Sequence, residues 1–186
     1  MHTLAIEGLD GSGKTSCAER VAARLGGVCA TSLPAGSAWR LKRSQVNLGA
    51  DVEARFNFFI ALNHMQLDAA RSHEAGGFVS TLDSSIYRTV ATHRVLGSQA
   101  AREHRIAACE KPDSTYYLQV PENLRQQRLS IRDGGIVHPS HWDEILFERS
   151  DDVRAEYAKL GLVKLTVRFL WMLLLTRFVQ KLKYNS

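Results

Sequence analysis

Apolar and polar residues along the chain follow two periods in turn. Short apolar runs of strand length alternate with longer stretches in which apolar residues recur every three or four positions, as on one face of a helix. The sequence therefore predicts strands and helices in alternation. The predicted strands lie at 4–6, 28–33, 78–82, 115–120 and 162–167. The predicted helices lie at 15–25, 52–71, 86–96, 122–132, 142–160 and 169–183.

This order of elements predicts a fold class. Strands that are separated by helices need crossover connections, which give a parallel sheet covered by helices on both faces. We therefore predict an α/β three-layer sandwich with a five-stranded parallel sheet, as one domain over residues 1–186. Ligands of such sheets bind beyond the carboxyl ends of the strands. The loop that follows the first strand lies at that edge.

Composition and charge narrow the function classes. Apolar residues make up 45% and charged residues 23% of the 186 residues, which is typical of a globular protein. The formal charge of +5 comes from scattered Lys and Arg, so we expect no nucleic-acid partner. Two explanations of the excess positive charge remain open: a solvated basic surface, or a binding site for an anionic small ligand. The three cysteines lie far apart without metal-ligand spacing, which favours free thiols, a cytoplasmic location and no structural metal.

One strongly apolar stretch lies near the end of the chain. Residues 169–175 read FLWMLLL and are flanked by Arg168 and Arg177. A membrane span needs about 20 apolar residues. We therefore expect a buried C-terminal helix and no membrane partner.

The loop 7–16 reads EGLDGSGKTS and contains the pattern GxxxxGK[ST], from Gly8 to Thr15. It lies between a predicted strand and a predicted helix, the context in which glycine-rich backbone amides and a helix start surround a polyphosphate. Lys14 would bind the outer phosphates of ATP, and the Thr15 hydroxyl would ligate Mg2+. No guanine-reading NKxD segment is present, so a small-molecule kinase is favoured over a GTPase. The residues that we assign to ATP here are Gly8, Asp10, Gly11, Ser12, Gly13, Lys14, Thr15 and Ser16.

The stretch IEGLDGSGKTS resembles the thymidylate kinase family. The segments FIALNHMQ (59–66), GGFVSTLDSSIYRTVATH (76–93), KPDSTYYLQVPE (111–122) and ERSDDVRAEYAKL (148–160) resemble the same family in order and spacing. The resemblance covers about residues 3–160. It implies a P-loop NTPase fold, transfer of a phosphoryl group from ATP to dTMP with Mg2+, and a homodimer.

The resemblance also implies roles for particular residues. Asp83 would hold Mg2+ or contact the acceptor, although it also suits a helix N-cap. Arg128 would contact ATP, and a lid at about 130–142 would bring Arg132 to the transferring phosphoryl group. The catalytic set is thus Lys14, Asp83 and Arg132. The acceptor-binding set is Asp10, Arg40, Phe59, Asn63, Ser84 and Arg88, with Arg43 and Phe56 as further candidates beside alternative roles on the surface and in the core.

Two departures from the family pattern bear on the acceptor. The family has an Asp-Arg pair where this chain has Asp83-Ser84, and serine cannot grip a phosphate with charge. Asn63 replaces an arginine of the acceptor-base helix. Arg88, one helical turn beyond Ser84, can partly substitute. Three hypotheses therefore remain open: a thymidylate kinase, a kinase for a deoxynucleoside or other small hydroxyl compound, and a nucleotide-binding protein without catalysis.

Overall fold

The computed structural model describes residues 2–30, 37–49, 51–133 and 140–166. Its strands form one sheet in the order β2-β3-β1-β4-β5, and every neighbouring pair is parallel. The predicted five-stranded parallel sheet is therefore confirmed. The strands are β1 (Thr3–Glu7), β2 (Val28–Ala30), β3 (Ser80–Asp83), β4 (Ser114–Gln119) and β5 (Val163–Thr166).

Helices connect the strands. A short 3-10 helix, Ala108–Glu110, precedes β4. The α-helices are α1 (Lys14–Leu25), α2 (Ser37–Gly49), α3 (Val52–Ala75), α4 (Ile86–Val95), α5 (Gln99–Glu103), α6 (Glu122–Asp133), α7 (His141–Glu148) and α8 (Ser150–Lys159).

The central strand β1 is buried along its whole length. Successive side chains of a strand point to opposite faces of the sheet. Leu4 and Ile6 accordingly pack with residues of α1, while Ala5 packs with Leu67 and Ala70 of α3. The helices thus lie on both faces of the sheet, as the α/β prediction required.

The predicted continuous helix 142–160 is wrong. Two helices, α7 and α8, meet at Arg149, whose φ and ψ of −98° and 28° interrupt the helix. Asp151 and Asp152 lie in the first turn of α8, where carboxylates favour a helix start. Arg149 also donates from Nε to Asp152 Oδ2 at 2.8 Å, so its side chain stabilises the junction between the two helices.

The sequence pattern missed α2, α5 and the 3-10 helix. In α2 the side chains of Leu41 and Leu48 are 61% and 82% exposed, so this helix has little of the apolar face that periodicity detects. The predicted strand at 28–33 is described only as far as Ala30, and the predicted helix 169–183 lies outside the described residues. Within the described ranges, no helix is both long enough and apolar enough to span a membrane.

The register of the sheet places two chain segments side by side. Ile6 of β1 pairs with Asp83 of β3 at the carboxyl end of both strands. The loop Gly8–Gly13 follows β1, and α4 follows β3. Whatever these two segments bind must therefore lie between them, at the edge where parallel sheets bind ligands.

Candidate functional site

The loop after β1 turns tightly and then starts α1. Gly11 has φ +80°, and a β-carbon there would lie 2.8 Å from both the Arg125 carbonyl oxygen and Leu129 Cγ, so only glycine fits. Ser12 N donates to Leu9 O at 3.1 Å and closes the turn. The first N–H groups of a helix have no intrahelical partner, so those of α1 stay available to an anion.

Lys14 is the first residue of α1, and its side chain extends back into this loop. Its side chain is buried, and Nζ donates to Leu9 O at 2.9 Å and lies 3.5 Å from Asp10 Oδ1. Burial lowers the pKa of Lys14, and the nearby charge of Arg88 lowers it further. The loop thus holds an ammonium group at the start of α1, where an incoming anion would relieve the cost of its burial.

Thr15 and Asp83 join the two segments of the site. Thr15 Oγ1 donates to Asp83 Oδ2 at 2.6 Å. The N-cap of α4 is Ser85, two residues beyond Asp83, so the Asp83 carboxylate is engaged with Thr15. A hydroxyl and a carboxylate oxygen are ligands that suit Mg2+. The donor set therefore fits the magnesium site that the sequence predicted.

Glu7 lies beneath the loop and is fully buried. Ser85 donates to its Oε1 from N at 2.7 Å and from Oγ at 2.6 Å, and the Tyr157 hydroxyl donates to Oε2 at 3.0 Å. Burial raises the pKa of Glu7 to about 7, although these hydrogen bonds and the charge of Lys14 oppose the shift. This carboxyl links β1 to α4 and α8, and so fixes the two segments of the site relative to each other.

The raised pKa of Glu7 predicts a pH dependence of stability. The folded state binds this proton more tightly than the unfolded state, so its contribution is lost as pH rises from 4.5 to about 7. The loss is about 3 kcal/mol at most. We expect Glu7→Gln, which carries no titrating group, to gain stability relative to the wild type between pH 5 and pH 8. Urea unfolding at both pH values measures this difference. An equal pH dependence in both proteins would contradict it.

Two arginines of α6 donate hydrogen bonds to the backbone of this loop. Arg125 Nη1 donates to Asp10 O and Arg128 Nη1 donates to Ser12 O, both at 3.0 Å. Both guanidinium groups therefore contact the loop backbone. The side chain of Arg132 lies outside the part of the structure that is described.

A cavity of about 510 Å³ lies between this loop and the helices α2, α3, α4 and α7. Phe59, Asn63, Ser84 and Arg88 from the predicted acceptor set line it. Of the two α2 candidates it is Arg43, not Arg40, that reaches the cavity. Phe56 is buried in the core with residues of α4 and α5, so its alternative role in packing is the one observed.

Arg88 and Asp10 form a two-point ion pair across the cavity. Arg88 Nη1 donates to Asp10 Oδ1 at 2.8 Å, and Nη2 donates to Oδ2 at 3.0 Å. Asp10 raises the pKa of Arg88 further above its usual value. Ser84 is buried with φ +67°, which is uncommon for serine. Arg88, which could partly replace the arginine absent at position 84, is thus paired with Asp10.

Sequence reasoning missed a further cationic residue of the cavity, Arg55. It is 6% exposed, and its Nη1 donates to His93 Nε2 at 2.7 Å. The guanidinium carbon lies 4.8 Å from the centre of the Phe59 ring. The one signal was its position four residues before Phe59, which places both on the same face of α3.

This fold and this site together define a P-loop kinase: a parallel α/β sheet with a glycine-rich phosphate loop after its first strand and an acceptor-sized cavity beside that loop. The chain belongs to the thymidylate kinase family, whose sequence model, described as thymidylate kinase, matches residues 6–160. It is therefore a nucleotide kinase. Among the curated proteins, no sequence relative is detected.

Solved structures share the fold at low sequence identity. A thymidylate kinase from Candida albicans, described as having broad substrate specificity, aligns with a TM-score of 0.69 and 15% identity over 99% of this chain and 92% of its own. A deoxyadenosine kinase from M. mycoides, with dCMP and dCDP bound, aligns with a TM-score of 0.65 and 15% identity over 98% and 99%. The same deoxyadenosine kinase with dATP bound gives a TM-score of 0.62 at 14% identity, over 100% of both chains.

Proposed function

We propose that this chain transfers the γ-phosphoryl group of ATP to a nucleoside monophosphate such as dTMP. The observation that carries the proposal is the charge of the cavity beside the phosphate loop. Its lining contains five cationic side chains and three carboxylates. This excess of positive charge suits a site that receives two phosphate-bearing substrates. The cationic residues are Lys14, Arg43, Arg55, Arg88 and Arg128, and the acidic ones are Asp10, Asp83 and Asp143.

Phosphoryl transfer depends on positioning and on neutralising charge rather than on covalent chemistry. Lys14 and the amides at the start of α1 would hold the β- and γ-phosphates. Magnesium, held by Thr15 and Asp83, would neutralise charge on the same phosphates. Arg128, on the outside of the loop, would contact ATP from the α6 side. The acceptor phosphate oxygen then bonds to the γ-phosphorus while the bond to ADP breaks.

The acceptor would lie in the cavity between α3 and α4. Arg88 and Arg43, which line this cavity, would contact its phosphate, and Asp10 would contact its sugar. The proposed lid, at about 130–142, leads into α7, which forms one wall of the cavity through Asp143 and Leu146. Closing this side over the substrates would exclude water and suppress hydrolysis of ATP.

A second candidate is a deoxynucleoside kinase. Two observations favour it: Ser84 replaces the family's arginine, and Arg88 is already paired with Asp10. An acceptor without a phosphate needs neither arginine. The likeness to deoxyadenosine kinase structures is compatible with this candidate but shows only the shared fold.

One assay separates these functions. ADP formation is measured with purified protein, ATP and Mg2+ against dTMP, other nucleoside monophosphates, the matching deoxynucleosides, and no acceptor. Turnover confined to monophosphates supports the proposal. Turnover with deoxynucleosides supports the second candidate. Binding of ATP without turnover on any acceptor would show that the chain has lost catalysis.

We predict that restoring the family's arginine at position 84 increases activity on a nucleoside monophosphate. Ser84→Arg should raise kcat/KM for the preferred monophosphate about tenfold, because a charge-assisted hydrogen bond to phosphate adds roughly 1.5–3 kcal/mol. Ser84→Gln is the control, since it adds an uncharged side chain that can still donate a hydrogen bond. Steady-state kinetics of the three proteins measure the effect. Equal rates for wild type and Ser84→Arg would mean that residue 84 does not face the acceptor phosphate.

A further inference from the structure

Arg125 of α6 binds one peptide group of the phosphate loop on its carbonyl side. Nη1 of this arginine donates to Asp10 O at 3.0 Å. The peptide bonds of the described residues are trans, so the C=O and the N–H of one peptide group point in opposite directions. The N–H of Gly11, which shares this peptide group with the Asp10 carbonyl, therefore points away from the Arg125 guanidinium.

This N–H is available to a ligand. No acceptor for Gly11 N is found within the part of the chain that the structure describes. Gly11 lines the cavity beside the loop together with Lys14 and Thr15. A phosphate bound at the start of α1 is the acceptor that backbone amides meet in loops of this kind. The direction of this one peptide group thus decides whether its N–H can reach the phosphate.

The loop alone does not fix that direction. Gly11 has φ +80°, and a glycine allows the neighbouring peptide groups many orientations. If the peptide group turned over, it would present the Asp10 carbonyl oxygen to the phosphate, and two negative groups would repel each other. A contact that holds the carbonyl on the outer side therefore favours binding of an anion.

The Arg125 guanidinium is itself held rigidly. The side chain is buried, with 3% exposed. Its Nε donates to Glu122 Oε2 at 2.9 Å and its Nη2 donates to Glu122 Oε1, a two-point pair across one turn of α6. This pair orients the planar group and leaves Nη1 for the loop. The Phe147 ring of α7 lies 5.6 Å from the guanidinium carbon on another side.

Glu122 is anchored in turn from a second helix. Arg154 of α8 donates from Nη2 to Glu122 Oε2 at 3.0 Å, and Gln126 donates to Oε1 at 3.0 Å. The hydrogen bonds from Arg125 and Gln126, with the charges of both arginines, lower the pKa of Glu122 to about 2. The carboxylate therefore stays ionised near neutral pH. A buried ionic group adds little to stability compared with apolar packing, so such a network suggests a further role.

We propose that Arg125 is a positioning residue for the phosphates of ATP, because it holds the Asp10 carbonyl so that the Gly11 N–H faces the phosphate in the loop. Arg125 acts through this peptide group and does not itself contact the nucleotide. The inference deepens the proposed function, since it takes ATP as the ligand of the loop. It requires neither a particular acceptor nor turnover.

A second glycine of the loop provides an internal comparison. Arg128 donates to Ser12 O at 3.0 Å, so the Gly13 N–H is oriented by the same geometry but by a different arginine. Proton–nitrogen correlation NMR of the full chain, with and without ADP and Mg2+, follows both glycine amides. In the wild type, ADP should shift both signals. In Arg125→Met, the shift at Gly11 should be lost while the shift at Gly13 remains.

Isothermal titration with ADP measures the cost of this loss. The dissociation constant of Arg125→Met should rise about tenfold, because a hydrogen bond to a charged phosphate is lost. Arg125→Lys keeps the charge but cannot pair with Glu122 at two points, so it should bind with intermediate affinity. Arg102→Met makes the same substitution on an exposed arginine of α5 and should bind ADP as the wild type does. Thermal unfolding of each variant checks that the fold is retained.

Several results would overturn the inference. One is wild-type affinity for ADP in Arg125→Met or, if that variant does not fold, in Arg125→Lys. Another is an equal loss of the ADP shift at Gly11 and Gly13 in Arg125→Met, which would assign the arginine to the fold of the whole loop. A third is the absence of any ADP shift at Gly11 in the wild type. If the ADP results hold but no acceptor is phosphorylated, the proposed function fails while the inference stands.

Discussion

Replacing Lys14 with methionine should lower kcat/KM about 10³-fold without reducing the stability of the fold. The ammonium group is the one cation within the phosphate loop, and losing one such preorganised donor typically costs a factor of 10²–10³. Methionine has a similar length and no charge. The buried position lowers the pKa of Lys14, which means that the folded chain holds this charge at a cost.

The structure also explains why the fold should tolerate this change. Leu9 O accepts from both Lys14 Nζ and Ser12 N, so it keeps a partner when the ammonium is removed. Coupled ADP assays and thermal unfolding measure the two effects separately, with the exposed Lys111→Met as the matched control. A variant that retains wild-type turnover would remove the basis for the ATP site. A variant that loses activity only because it unfolds would leave the catalytic role of the ammonium group unsupported.

The phosphate loop was predictable because its signal is local. Gly11, Lys14 and Thr15 lie within five residues, and each is required by the geometry of a turn that leads into a helix. The central strand β1 was predictable for a related reason, since it is a short and fully buried run with a continuous apolar centre. In both cases neighbouring residues carry the whole pattern.

The acceptor cavity depends on pairs of residues that are distant in the sequence. Asp10 and Arg88 are 78 residues apart, and Arg55 and His93 are 38 apart. No periodicity shows that Arg88 turns toward the loop aspartate or that a histidine fixes Arg55. Family resemblance pointed to Ser84 and Asn63, which do line the cavity, but it did not point to Arg55.

The break at Arg149 shows a further limit of periodicity. Apolar spacing continues from α7 into α8, so the pattern alone predicts one helix. The interruption comes from the backbone of one residue, whose side chain bonds both Asp152 and the Val95 carbonyl oxygen of α4. A tertiary contact thus decides where these two helices meet, and with it the angle of the α7 wall over the cavity.

Asp83→Asn should lower kcat about 10²-fold and raise the magnesium concentration needed for half-maximal activity. Asparagine can still accept the hydrogen bond that Thr15 Oγ1 donates at 2.6 Å, so the contact between β3 and the loop should survive. What is lost is the negative charge, and Mg2+ binds carboxylates far better than amides in such sites. The substitution therefore separates metal binding from the structural role of this side chain.

Two Thr15 variants complete this test. Thr15→Ser keeps the hydroxyl and should behave as the wild type, whereas Thr15→Val removes the ligand and should show the same raised magnesium requirement as Asp83→Asn. Isothermal titration of ATP with and without Mg2+ gives a readout that does not depend on turnover. In the wild type we expect Mg2+ to strengthen ATP binding, and in Asp83→Asn this enhancement should shrink at least about tenfold. If the enhancement is unchanged in both Asp83→Asn and Thr15→Val, the metal is not held by this pair, because removing either ligand alone must weaken a site that both residues form.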